Sequence, residues 1–116
     1  MSAVRLGAVT LLMAVVLGAF GAHGLKARVA ADAMKIYETG VFYHFVHGLA
    51  ILILGFAAAP LKNPKLENAS WVFALGILVF SGSLYGLALG GPRALGMITP
   101  VGGIIFILGW LLVAFA

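Results

Sequence analysis

Three histidines, three tyrosines and a few hydroxyls are the side chains that could do chemistry within an otherwise apolar sequence of 116 residues. His44 and His47 are three apart, so on a helix they share one face, while His23 stands in an earlier apolar run. Imidazole nitrogens bind transition metals and titrate near neutrality. The histidines therefore admit a metal, haem or quinone site, a proton relay, or hydrogen bonding alone. Ser81, Ser83, Tyr85, Tyr43 and Thr99 are the hydroxyls that could accompany them. No Asp or Glu lies inside an apolar run to steer a histidine toward a serine, and Glu38 at a border is nearest, so no nucleophile–base–orienter set is visible. The absence of Cys removes thiolate ligands and cysteine nucleophiles. The glycine-rich stretches lack the Lys-Ser/Thr that completes a phosphate loop. The expectation is a non-enzymatic protein with no cofactor, with His23, His44 and His47 as the candidate ligands were a metal present.

The elements that must position these residues follow from composition. The chain is 64% hydrophobic and only 9% charged, against ~25% charged for a soluble domain. Ten charges do not cover a water-facing surface of this size, and apolar content this high is equally incompatible with disorder. Seven dispersed Lys and Arg form no basic stripe, so no nucleic-acid partner is expected. A bilayer core of ~30 Å needs ~20 apolar helical residues. Four runs meet or approach that length, at 6–25, 39–59, 70–90 and 100–116. Each is continuously apolar, which favours helices, because lipid offers no partner to backbone groups. The alternation of a barrel strand is missing. The fold class expected is all-α, an antiparallel four-helix transmembrane bundle forming one domain. Arg5 and the Ala19-Phe20-Gly21 stretch also resemble a signal peptide with its cleavage site, but the apolar run continues through it to Leu25.

Between the first two runs, Lys26 to Glu38 has helical periodicity, with Leu25, Val29, Ala33 and Ile36 on one face and Arg28 four residues before Asp32. It reads as a short helix lying in the interface; a helical extension of the second span has the same periodicity. Pro60, Asn63 and Pro64 predict a turn. Asn68 or Ser70 predicts the cap of the third helix, and Thr99-Pro100 the start of the fourth. Lys and Arg divide three against four between the two sides, so the positive-inside rule gives no orientation.

In an antiparallel bundle His23, His44, His47, Tyr43, Ser81, Ser83, Tyr85 and Thr99 fall within one leaflet, with Trp71 and Trp110 in the other. Gly40 and Gly48 share the histidine face, Gly18 lies on the first span, and Gly82, Gly86 and Gly90 make two successive G-x-x-x-G steps. Small residues at this spacing let helices approach closely. The second and third helices should meet there, with histidine hydrogen-bonded to Ser or Tyr across the seam.

Gly18-Ala-Phe-Gly-Ala-His-Gly-Leu25, Thr39-Gly-Val-Phe-Tyr-His-Phe-Val-His-Gly-Leu-Ala50, Phe80-Ser-Gly-Ser-Leu-Tyr85 and Ile98-Thr-Pro-Val-Gly-Gly103 with Gly109-Trp110 occur in that order. This succession resembles the small four-span membrane family typified by bacterial YgdD and eukaryotic transmembrane protein 256, with Gly48 where that family more often has Ala. The resemblance implies a bacterial inner-membrane or mitochondrial setting. It carries no activity, because the family's function is unknown. The readings left open are assembly, envelope or lipid work, an oligomeric proton-responsive transporter or channel built on the histidines, and a metal, haem or quinone site. The partners expected are the lipid bilayer, other membrane proteins and further copies of the chain.

Overall fold

A computed structural model describes residues 2–116, and four helices in it are long and apolar enough to cross a membrane. Helix α1 (Ala3–His23) is capped by Ser2, whose hydroxyl oxygen accepts the Arg5 N–H at 3.2 Å. Its buried residues, Ala3, Gly7, Ala14 and Gly21, are all small. The last three are spaced by seven and so form one narrow stripe against α2. At Gly21 the limit is the Tyr37 ring, 2.5 Å from where a Cβ would stand, and at Gly7 it is the α2 backbone. A Cβ on Gly7 would lie 2.7 Å from the Leu52 backbone nitrogen, and one on Gly55 would lie 2.7 Å from that of Val4.

Helix α2 (Ala31–Leu61) has 31 residues, about 46 Å at 1.5 Å per residue, which accounts for the 47 Å long dimension of the molecule. This corrects the expected interfacial helix. Seven residues, 24–30, separate α1 from α2 and hold only a three-residue 3₁₀ turn, Leu25–Ala27, and the segment from Ala31 to Glu38 is the opening of α2 itself. No Gly or Pro interrupts that stretch, and its buried Met34 and Tyr37 pack against Gly21 of α1. Arg28 precedes α2, so it shares no helix with Asp32. Pro60 does not stop α2; Lys62 does, in a left-handed conformation with φ 51°.

The third span runs as α3 (Pro64–Gly76), a π-helical segment (Ile77–Ser81) and α4 (Gly82–Ala88). Its cap is Asn63, not Asn68 or Ser70: the Asn63 side chain accepts the Lys65 N–H at 3.0 Å and Pro64 takes the first turn, where a missing N–H costs nothing. Ser70 is instead buried, donating to the Leu66 carbonyl at 3.2 Å. Beyond α4, Gly90 has φ +91°, a conformation that glycine adopts without a Cβ penalty.

Helix α5 (Leu95–Ala114) begins ahead of the expected Thr99-Pro100 start, and Pro100 lies inside it. The chain tightens into the helix through i→i−3 bonds from Leu95, Gly96 and Met97 to Pro92, Arg93 and Ala94. By the time it reaches Pro100 the helix is formed. Sequential spans are antiparallel neighbours. The α5 backbone approaches the third span alone; only side chains bridge it to α2. One buried cluster, with Ile51, Leu54, Phe73, Ile77 and Phe106 at its centre, joins α2, the third span and α5. A smaller one around Leu25, Met34, Tyr37 and Ala88 closes the other end.

Candidate functional site

His47 sits near the midpoint of α2, buried, with both ring nitrogens used. Nδ1 lies 2.8 Å from the Tyr43 carbonyl. A carbonyl can only accept, so Nδ1 carries the proton. Nε2 then accepts the Trp110 indole N–H at 3.0 Å. These partners assign a single neutral tautomer. The ring is stacked on Phe106 at 3.6 Å between centroids, and Phe73 meets it edge-on at 5.3 Å. His47 is thus the polar centre of an aromatic joint between α2, α3 and α5.

His44, one turn earlier, places Nδ1 2.8 Å from the Tyr85 hydroxyl of the third span. Which of the two donates depends on the His44 tautomer. Ser81 donates to the Gly40 carbonyl at 2.8 Å. Ser83 donates to the Phe80 carbonyl at 2.8 Å and lies 2.6 Å from the Thr99 hydroxyl. A hydroxyl has one proton, so Thr99 donates to Ser83 when Ser83 serves Phe80. Tyr43 contributes its carbonyl to His47 and its ring to a contact with Phe80 at 4.7 Å, and is itself partly exposed. His23 stands exposed in the last turn of α1. Among the described residues no three His, Cys, Asp or Glu side chains converge to hold a metal.

The structure therefore divides the expected cluster among several seams. His44 meets Tyr85 and Ser81 meets Gly40 between α2 and the third span; Ser83 meets Thr99 between the third span and α5. Trp110, assigned by depth to the dry leaflet, supplies the donor to His47. Tyr37, unremarked in the sequence, donates its hydroxyl to the Leu17 carbonyl of α1. No buried side-chain nitrogen or oxygen is left without a partner among the described residues.

The glycines sort differently from their spacing. A Cβ on Gly40 would meet the Tyr85 ring at 2.9 Å and one on Gly48 the Leu11 side chain at 3.0 Å, whereas Gly18 has room at 3.5 Å. The double G-x-x-x-G step does not line α2. Gly82 and Gly90 have nothing within 4 Å, and Gly86 faces the Leu95 side chain. The π-helical turn ahead of Gly82 inserts an extra residue into the register, and this brings Ser81 to the α2 seam in its place. Helix also packs tightly on helix at Gly7, Gly21, Gly55, Gly76, Gly102 and Gly109.

The family model described as a protein of unknown function, DUF423, matches residues 17–103. The chain belongs to the DUF423 family. That segment of this DUF423 protein holds all three histidines, Ser81, Ser83, Tyr85 and Thr99, while Trp110 lies beyond it. A UPF0382 membrane protein of Staphylococcus epidermidis is 45% identical over 111 residues, covering 96% of this chain and 90% of its own. The UPF0382 membrane protein YwdK of Bacillus subtilis is 42% identical over 112 residues, covering 96% and 91%. No solved structure matches the chain. It is a small integral membrane protein of a family whose function is unknown.

Proposed function

We propose that this DUF423 protein is non-enzymatic and serves the cytoplasmic membrane through its outer face, in assembly or envelope homeostasis by contact with lipid and other membrane proteins. The observation that carries this reading is the pairing of its interior polar groups. His44, His47, Ser81, Ser83, Tyr85, Thr99 and Trp110 hydrogen-bond one another or the backbone. Both His47 nitrogens are engaged, by a main-chain carbonyl and an indole N–H, and neither partner is a nucleophile, a metal or a titratable proton carrier. Intramembrane polar residues are functional candidates by default, and here the packing gives them a structural task. The motif order shared with YgdD and transmembrane protein 256 supports the bacterial inner membrane, or a mitochondrial membrane in a eukaryote. Small-residue faces on the exterior are compatible with self-association.

The test is made on purified protein in detergent and in proteoliposomes. Elemental analysis and visible absorption should show no stoichiometric metal, haem or quinone, and a pH gradient should drive no flux that depends on His44 or His47. A bound cofactor, or proton movement lost in His47→Phe, would overturn the reading. Native mass spectrometry on the same sample gives the number of copies.

A further inference from the structure

A groove of about 480 Å³ opens between α1 and α2, lined by none of the histidines. Its walls are apolar, including Val41, Phe45 and Leu49 of α2, with Gly18 of α1 leaving the space open. From Glu38 to Leu49 it follows twelve residues of α2, about 16 Å of rise, or half of a ~30 Å hydrocarbon core. That is the depth of one leaflet. At its mouth stand two opposite charges, Lys26 from the turn after α1 and Glu38 from α2, both exposed.

An apolar slot one leaflet deep, with one cation and one anion at its rim, is complementary to a lipid whose headgroup carries both signs. We propose that this groove holds one phospholipid with a zwitterionic, amine-bearing headgroup, the phosphate on Lys26 and the ammonium on Glu38. A primary ammonium can donate hydrogen bonds to the Glu38 carboxylate, which a trimethylated one cannot, so phosphatidylethanolamine is favoured over phosphatidylcholine. An anionic headgroup satisfies Lys26 and is repelled by Glu38. The proposal rests on the reading that the outer face works with lipid.

Native mass spectrometry of the full chain, released from nanodiscs of equal parts phosphatidylethanolamine, phosphatidylcholine and phosphatidylglycerol with identical acyl chains, tests it. One phosphatidylethanolamine should be retained over phosphatidylcholine by about two- to fivefold, the range of a single exposed charge contact. Glu38→Gln should bring that ratio to about one. Lys26→Gln should lower retention of both lipids by a similar factor. These surface changes leave the packed seams alone, and Val46→Trp, filling the inner half of the slot, should reduce retention of every lipid. Equal retention of the three lipids, preference for phosphatidylglycerol, or a lipid-free dimer masking the groove would each overturn the proposal. A cofactor or a histidine-dependent flux would instead overturn the functional reading while leaving these lipid ratios as they are.

Discussion

Replacing Gly102 with Ala should destabilise the bundle markedly, while the same change at Gly82 should not. A Cβ on Gly102 would stand 2.5 Å from the Phe80 backbone nitrogen and 2.6 Å from its Cα. Ordinary contact begins near 3.4 Å, so α5 and the third span must part by roughly 0.9 Å (3.4 minus 2.5). The opposing atoms are backbone, and no rotamer change relieves them. Overpacking of this kind costs about 1–3 kcal/mol. Separation also stretches the 2.6 Å Ser83–Thr99 contact on the same seam, adding ~0.6 kcal/mol for an intramembrane hydrogen bond. The gain in helix propensity, up to ~1 kcal/mol, offsets part of this. At Gly82 the propensity gain stands alone, because nothing lies within 4 Å. The propensity gain is common to both variants and cancels, so they should differ by about 1.6–3.6 kcal/mol, from the overpacking and hydrogen-bond terms together. Reversible unfolding in mixed micelles of rising SDS content, followed by helix circular dichroism and tryptophan fluorescence, reads the difference. Equal stabilities, or Gly82→Ala as the weaker protein, would refute the seam assignment and return it to the G-x-x-x-G face.

Three further outcomes are expected from the same assay. A double-mutant cycle of His47→Phe and Trp110→Phe should give a coupling of about 0.6–1.7 kcal/mol, the measured span for intramembrane hydrogen bonds; additive effects would show that the 3.0 Å contact contributes nothing. Tyr85→Phe should cost about 0.6–1.7 kcal/mol in the native background and much less beside His44→Leu, because its hydroxyl serves that ring; a cost unchanged by His44→Leu would point to another partner. Tyr37→Phe should speed amide exchange in α1 near Leu17, whose carbonyl it anchors, and leave exchange in α5 as it was; a uniform change across the bundle would contradict a local role.

The four spans were legible because each has to satisfy its own backbone in lipid, which leaves long apolar runs on the page. Their ends were less so. Pro60 and Pro100 read as boundaries, yet both lie inside helices. Pro60 comes one residue before the α2 terminus, and Pro100 follows a helix start already made by tighter turns at Pro92 to Ala94. The opening of α2 reads as interfacial in the sequence because periodicity alone does not say whether an apolar face meets lipid headgroups or a neighbouring helix. The buried contact of Tyr37 and Met34 with Gly21 decides it, and that contact joins residues far apart in the chain.

The histidine environment shows why depth counting stops short of a site. His47 and Trp110 were separated into two leaflets by the positions of their Cα atoms along the helices. A long helical side chain, however, leans toward the N-terminus of its own helix. α5 enters from the same side as α2, so the Trp110 indole reaches back along the bundle toward the midpoint of α2. Nothing in the α2–α5 pair holds the backbones together, since α5 packs only on the third span. The indole, Phe106 and the imidazole ring of His47 fill that gap. A smaller pair at these two positions would leave a space between helices whose backbones do not meet. The histidine is therefore placed where a flat, hydrogen-bonding side chain joins two helices, with both ring nitrogens engaged.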